Sequence, residues 1–131
     1  MSEHDPNGKS AHEAGSKLDA GKAPVMRGVL RYFPRALTAV AEVSGFGAAK
    51  YTWGGWESVP DGIERYGDAL ARHALIDGPD AQSGLLHAAH AAWNALARLE
   101  LILKQQEIDQ SWANAAIAEI ASAAQKHRSV P

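Results

Sequence analysis

The sequence contains no cysteine and no long run of large apolar side chains. The absence of cysteine excludes disulfide bonds, thiol nucleophiles and cysteine-ligated zinc, and it is consistent with a reducing cytoplasm. The longest run of large apolar residues, Leu101 to Leu103, is far too short to cross a bilayer. Residues 1–24 lack the apolar core of a signal peptide. We therefore expect neither secretion nor a membrane partner.

Net charge and bulky core residues are also scarce. The 13 Lys and Arg nearly balance the 15 Asp and Glu, so the formal charge is −2 and no broad attraction to nucleic acid is expected. The apolar fraction is 46%, but 26 of these residues are alanines and 34 are larger. Because a 131-residue chain leaves much of its surface exposed, we expect a homo-oligomer, a dimer or a tetramer, to complete the core.

The chain changes character after its first two dozen residues. Residues 1–24 are polar and are predicted to be a flexible segment, of which residues 15–24 could become ordered on a ligand. Residues 25–127 are predicted to form one α-helical domain. No alternating β pattern of useful length is present, so the predicted fold class is all-α, a four-helix bundle.

Helical periodicity and local breaks predict the four helices. The first follows Pro34, the second begins near Ser58 with a capping box to Asp61, the third runs from about Ser83 to Gln106, and the fourth follows Asp109 as N-cap. The predicted buried stripes of the last two helices are Leu85, Ala89, Ala92, Leu96, Leu99 and Leu103, and then Ala113, Ala116, Ile117, Ile120 and Ala124.

The third helix carries a polar face opposite its leucines. Ser83, His87, His90, Asn94 and Arg98 follow one another at steps of three or four residues. Alanines border this face and leave room for a ligand. Two histidines at this spacing could bind a transition metal, hydrogen-bond to a phosphate, sugar or base, or simply be satisfied within the bundle.

Acidic residues lie on the other predicted helices. Glu64, Asp68 and Arg72 share one face of the second helix, and Glu42 lies off the apolar stripe of the first. These charges could be solvent-exposed ion pairs. They could also meet across a bundle, as carboxylates do when they hold Mg²⁺ or Mn²⁺.

Two further segments could contact a nucleotide. Lys17 and Lys22, beside Asp19, could place ammonium groups on phosphates, although the segment lacks the spacing of a P-loop and could be a solvated tail. In the loop at residues 50–60, aromatic side chains could stack on a base or belong to the core, namely Tyr51, Trp53 and Trp56.

An ordered set of short motifs spans residues 15 to 103. It comprises Lys17-x-Asp19-x-Gly21-Lys22, Phe46-Gly47-Ala-x-Lys50-Tyr51, Trp56, Tyr66-x-Asp68-Ala-x-x-Arg72-His73 and Ser83-Gly84-x-x-His87-x-x-His90-Ala-x-x-Asn94. This set resembles the phage dATP/dGTP diphosphohydrolase domain, a branch of the MazG-like all-α nucleotide pyrophosphohydrolases. Within it, the likeness is strongest to enzymes of phages that replace adenine by 2-aminoadenine.

The resemblance implies a metal-dependent enzyme in the cytoplasm of a bacterial host cell. It implies hydrolysis of a purine nucleoside triphosphate to the monophosphate and pyrophosphate, with Mg²⁺ or Mn²⁺ as cofactor. Glu42 and Asp68 are then the expected catalytic residues and first metal ligands, followed by Glu64 and Asp80. The implied substrate contacts are Lys17, Asp19, Lys22, Lys50, Tyr51, Trp53, Trp56, Arg72, His87, His90 and Asn94.

Two alternative functions stay open on the sequence. One is a housecleaning pyrophosphohydrolase that removes non-standard nucleotides. The other is a nucleotide-binding regulatory bundle without turnover.

Overall fold

A computed structural model describes residues 2–128 of the chain. It contains three α-helices, α1 (Pro34–Lys50), α2 (Gly62–Ala74) and α3 (His87–Arg128). A π-helical turn, Met26–Leu30, precedes α1, and a 3-10 turn, Gly55–Ser58, precedes α2. The described residues form no β-strand, and a single isolated bridge joins Pro79 and Leu86. The predicted all-α class is confirmed, and no helix between residues 2 and 128 is long and apolar enough to span a membrane.

The chain divides into two compact units, one ending at Leu37 and one beginning at Thr38. In the first unit, turns are organised around the buried carboxylate of Asp5, which accepts hydrogen bonds from the backbone N–H groups of Asn7 and Lys17, both at 2.7 Å. These bonds lower the pKa of Asp5, the bond from Lys17 most. The backbone N–H of Ala20 also donates to the carbonyl of His4 at 3.1 Å.

The second unit is built on the packing of α2 against α3. At their contact, α2 begins with the buried Gly62, whose missing side chain leaves room for Leu101 of α3. Aromatic edges join the helices to the preceding loop: the ring of Trp93 lies 5.9 Å from that of Trp56 and 5.7 Å from that of Tyr66. Helix α1 is tied to α3 by the indole N–H of Trp93, which donates to Ser44 Oγ at 2.7 Å.

The start of α2 differs from the prediction. Ser58 and Asp61 form no capping box, because the helix begins at Gly62 and Asp61 makes no side-chain cap hydrogen bond. Pro60 explains the difference, since a residue that precedes proline is pushed out of the helical region. Val59 is accordingly extended, with φ −67° and ψ 121°. Asp61 then turns the chain with a positive φ of 55°.

The predicted third and fourth helices are one continuous helix of 42 residues. Asp109 does not cap a new helix, because it lies inside α3; its carboxylate accepts a hydrogen bond from the side chain of Gln105 one turn earlier. No glycine or proline interrupts the helix near this point. At the other end α3 begins at His87, and Ser83 belongs to the loop before it.

The burial of α3 differs from the expected pattern except at Ala89, which is buried as predicted. Its buried residues are mainly polar or small, namely His87, Ala89, His90, Asn94 and Ala97. The predicted core leucines are about half exposed in the single chain, with Leu96 at 51%, Leu99 at 51% and Leu103 at 47%. Further along, Ala113, Ala116, Ile117, Ile120 and Ala124 are exposed as well. The helix thus turns its buried polar residues toward α1 and α2, and residues 2–128 cover its apolar face only in part.

Candidate active site

The loop between α2 and α3 is folded around Asp80. Oδ1 of this residue accepts hydrogen bonds from the backbone N–H groups of Gln82 and Ser83, both at 2.9 Å, and from Ser83 Oγ at 3.3 Å. The N–H of Asp80 donates to the carbonyl of Leu85 at 2.7 Å. These donors, the N–H of Ser83 foremost, lower the pKa of Asp80. The loop therefore holds an ionised carboxylate in a set position, with Oδ1 engaged.

Three histidines lie against this loop. His73 is in the last turn of α2, and His87 and His90 are in the first turn of α3. The Nδ1 atoms of His73 and His87 are 2.8 Å apart, so that one donates and the other accepts. The rings of His73 and His90 stack with centroids 4.6 Å apart and planes 13° from parallel. Burial lowers the pKa of His73 and of His90, which favours the neutral imidazoles.

His90 is also fixed by its neighbours on the other side. Its Nε2 lies 2.7 Å from Ser83 Oγ, and its ring meets the edge of Phe46 of α1 at 6.1 Å. The side chain of Asn94 donates to the carbonyl of His90 at 2.8 Å. Of the predicted polar face, His87, His90 and Asn94 are therefore buried, whereas Arg98 is exposed.

Among residues 2–128, one group of side chains is arranged so that it could hold a metal ion: His73, Asp80 and His87. One ligand atom from each lies within 4.8 Å of the others. Asp80 Oδ2 is 4.0 Å from His87 Nδ1. Two imidazole nitrogens with one carboxylate suit a transition-metal ion, whereas Mg²⁺ prefers oxygen ligands and several waters. The donor set therefore fits a transition-metal ion better than Mg²⁺.

A cavity of about 700 Å³ opens beside this group. Of the described residues that line it, three carry a permanent positive charge, Lys50, Arg65 and Arg72, and one is a carboxylate, Asp80. The ammonium of Lys50 lies 3.5 Å from Gln82 Oε1. The cavity therefore favours an anionic ligand over a cationic one.

Aromatic side chains form another part of the cavity wall. Tyr51 and Trp53 are 72% and 77% exposed, so both rings are accessible to a ligand, and the ammonium of Lys50 lies over the Tyr51 ring at 5.3 Å. Trp56 is half-buried and packs edge to face on Tyr66, whose hydroxyl donates to its carbonyl at 2.8 Å. Burial raises the pKa of Tyr66, so this hydroxyl stays protonated. The cavity thus offers exposed rings for stacking at its rim and a rigid aromatic cluster within its wall.

Most of the predicted substrate residues meet at this cavity. It is lined by Lys50, Tyr51, Trp53, Trp56, Arg72, His90 and Asn94; His87 does not line it but contacts His73, which does. Three predicted carboxylates do not line it: Glu42, Glu64 and Asp68 have exposed side chains on α1 and α2. Phe46 and Arg72, which do line the cavity, follow Glu42 and Asp68, respectively, by one helical turn. Their role as metal ligands therefore stays a prediction.

The predicted N-terminal contacts belong to the first unit. Lys22 forms an exposed ion pair with Glu3 at 3.0 Å. The backbone N–H of Lys17 bonds to Asp5, and that of Asp19 donates to the carbonyl of Lys17 at 3.0 Å. Their role in substrate binding also stays a prediction.

Sequence reasoning missed His73. It lies next to Arg72 in one of the motifs, but nothing in the spacing of α2 connects it to the polar face of α3. The signal that could have found it is the short loop at residues 75–86, which returns the chain to the end of α2. There the backbone N–H of His87 donates to the carbonyl of Gly78 at 2.9 Å.

Comparison with known families gives one match. A family model described as dATP/dGTP diphosphohydrolase, N-terminal, matches residues 12–111. This range includes α1, α2, the Asp80 loop and the part of α3 that carries the buried polar face. No curated protein and no solved structure matches the chain significantly.

Proposed function

We propose that this chain, which belongs to the dATP/dGTP diphosphohydrolase N-terminal family, hydrolyses dGTP, GTP and dATP to the nucleoside monophosphate and pyrophosphate. In this reaction water attacks the α-phosphorus, and the anhydride bond between the α- and β-phosphates breaks. Pyrophosphate leaves with the bridging oxygen, and the proton of the attacking water passes to a base or to solvent. The purine monophosphate dGMP would feed the synthesis of 2-aminoadenine nucleotides in a phage.

The observation that carries the proposal is the composition of the cavity. A nucleoside triphosphate has a polyanionic tail and a flat base, and the cavity places cations near exposed aromatic rings. Lys50 and Arg72 would bind phosphate oxygens through charge-assisted hydrogen bonds. Tyr51, Trp53 and Trp56 would face the base, since base stacking needs an open aromatic face. The volume of about 700 Å³ is in the range of small-molecule sites.

The buried polar residues of α3 would position the substrate. Asn94 and His90 line the cavity and are already held by hydrogen bonds, so they lose little freedom when a ligand binds. Lys17, Asp19 and Lys22 are proposed as further nucleotide contacts.

We propose Mg²⁺ or Mn²⁺ as cofactor. Glu42 and Asp68 are the proposed catalytic carboxylates and metal ligands, with Glu64 and Asp80 as further ligands. Asp80 is the one of these four that lies in the metal-competent group among the described residues. The chemistry that a divalent ion supplies when bound is neutralisation of phosphate charge and activation of the attacking water.

We also propose that the chain works as a homo-oligomer, a dimer or a tetramer, in the cytoplasm of a bacterial cell. The partly covered apolar side of α3 supports self-association, because Leu96, Leu99 and Leu103 form a stripe that is about half exposed in the single chain. Contiguous apolar surface of this kind is typical of protein interfaces. Sedimentation of the purified chain would test it: a monomer at micromolar concentration would contradict the proposal.

Product analysis tests the activity. Purified protein is incubated with each dNTP and with GTP, in Mg²⁺ or in Mn²⁺, and the products are separated by anion-exchange chromatography. We expect equal amounts of monophosphate and pyrophosphate from dGTP. Release of orthophosphate, or intact dGTP and dATP after exhaustive incubation, would refute the proposed reaction.

The same experiment separates the alternatives. Faster hydrolysis of nucleotides with modified bases than of dGTP would indicate a housecleaning enzyme. Metal-dependent binding of dGTP without pyrophosphate release would indicate a regulatory nucleotide-binding bundle.

A further inference from the structure

We infer that His73, Asp80 and His87 form a binding site for a first-row transition-metal ion. This site binds Mn²⁺, Co²⁺ or Ni²⁺ in preference to Mg²⁺. The inference goes beyond the proposed function, whose metal ligands are carboxylates, because it adds two histidines that share Asp80 with that set. It concerns binding to the free protein and does not depend on turnover.

Two of the three distances between the donor atoms are compatible with one shared ion, and all three lie within 4.8 Å. Bonds from such ions to imidazole nitrogen or carboxylate oxygen are about 2.0–2.2 Å long. Two donor atoms bound to the same ion can therefore be up to about 4.2 Å apart. The 4.0 Å between Asp80 Oδ2 and His87 Nδ1 lies within this reach. The Nδ1 atoms of His73 and His87 are 2.8 Å apart. At these bond lengths, two ligands of a tetrahedral ion would be farther apart than this. The distance suits two adjacent ligands of a six-coordinate ion.

The carboxylate is built to offer one free oxygen. Oδ1 of Asp80 is occupied by the N–H groups of Gln82 and Ser83 and by the hydroxyl of Ser83. Oδ2 is the oxygen that faces His87. A ligating carboxylate whose other oxygen is held by hydrogen bonds is the arrangement that orients metal ligands in proteins.

The imidazoles are also held in place for the same role. His87 is buried in the first turn of α3, and its backbone is bonded to Gly78. His73 is stacked on His90, whose own Nε2 is engaged by Ser83. In the free chain one of the two Nδ1 atoms of His73 and His87 donates a proton to the other, so metal binding moves that proton to Nε2 of the same ring, and both neutral imidazoles then offer Nδ1 to the ion. Three protein ligands would leave positions for water or for phosphate oxygens from the adjoining cavity.

The choice of ion follows from the donor types. Imidazole suits transition-metal ions such as Ni²⁺ and Zn²⁺, and affinity for such a site rises from Mn²⁺ through Co²⁺ to Ni²⁺, whereas Mg²⁺ is bound through carboxylates, phosphates and retained waters. A site with two nitrogens and one carboxylate should therefore discriminate against Mg²⁺, even when Mg²⁺ is in excess.

The test is a titration of the chelator-treated full chain with Co²⁺, without nucleotide, followed by calorimetry and by the visible absorption of the bound ion. We expect one Co²⁺ per chain, with a ligand-field spectrum of imidazole coordination. A tenfold excess of Mg²⁺ should not displace it. Mn²⁺ should compete with Co²⁺, and its binding can be measured separately by loss of the free-ion paramagnetic resonance signal.

Three variants test the ligands. Asp80→Asn keeps the size of the side chain and removes the charge, while His73→Gln and His87→Gln each remove one nitrogen ligand. Each should weaken Co²⁺ binding by at least about tenfold, because even outer-sphere partners of a metal are worth that much. Asp77→Asn and His12→Gln are matched controls outside the group and should bind as the unchanged chain does. Circular dichroism verifies that each variant is folded. If one ligand variant does not fold, the other two are enough to test whether these side chains bind the ion.

The outcomes separate this site from the proposed reaction. Co²⁺ binding that the ligand variants abolish, in a chain that does not hydrolyse dGTP, would support the site and refute the reaction. Hydrolysis of dGTP in Mg²⁺ by a chain that binds no Co²⁺ would refute the site and leave the reaction standing. Unchanged Co²⁺ affinity in the folded variants would also refute the site.

Discussion

Replacing Gly62 by alanine should destabilise the protein, because α2 meets α3 at this residue with no room for a side chain. A Cβ atom here would lie 2.8 Å from Leu101 Cδ1 and 3.4 Å from Tyr66 Cε2. The best separation between carbon atoms is about 3.5–4.0 Å. Leu101 would therefore have to withdraw from the contact, and Tyr66 could not take up the remaining space because its hydroxyl is bonded to Trp56.

The size of the effect follows from two opposing terms. Inserting a methyl group into a packed contact costs about 1–3 kcal/mol. Alanine gains up to about 1 kcal/mol over glycine in a helix interior, and less at a first helical residue such as this one. The net loss should be about 1–2 kcal/mol, which for a domain of this size lowers the melting temperature by about 4–8 °C.

Gly67→Ala is the matched control on the same helix. Its Cβ would lie 3.2 Å from Arg98 Nε, which belongs to a long, exposed side chain that can move away. We expect stability that is unchanged or raised by up to about 1 kcal/mol. Thermal and urea unfolding followed by far-UV circular dichroism measures both variants. A Gly62→Ala protein as stable as the unchanged chain, or an equal loss in Gly67→Ala, would refute the reasoning.

Further predictions concern the proposed site and its supports. Asp68→Asn should abolish hydrolysis of dGTP while the circular dichroism spectrum stays unchanged, since the side chain is exposed; near-normal turnover would show that the catalytic assignment is wrong. Lys50→Gln should raise the KM for dGTP by about tenfold or more through loss of a charge-assisted hydrogen bond, and an unchanged KM would remove Lys50 from the site. Deleting residues 2–23 should raise KM more than it lowers stability, whereas unchanged kinetics would mean that this segment does not contact the nucleotide. Trp93→Phe loses the bond to Ser44 and should lower the free energy of unfolding by about 1 kcal/mol or more; an unaltered melting temperature would contradict this.

Local sequence signals determined the fold class and the positions of most helix breaks in this protein. Pro34, the glycine–proline pair at residues 78 and 79, and the absence of alternating patterns were enough to predict an all-α fold with its main breaks. The spacing of His87, His90 and Asn94 placed them on one face of one helix, as the structure has them. Such predictions succeed because helical periodicity, breaks and side-chain facing are set by neighbours within a turn or two.

The tertiary structure alone decided which face of α3 is buried. Periodicity identifies two faces but does not say which one meets the rest of the chain, and the usual assumption that leucines are covered is wrong within this single chain. The buried histidines are tolerated because Ser83, His73 and the Asp80 loop satisfy their nitrogens. Those partners come from separate elements, so no local pattern could bring them together. The long-range return of the loop to the end of α2 thus creates the one metal-competent group among residues 2–128.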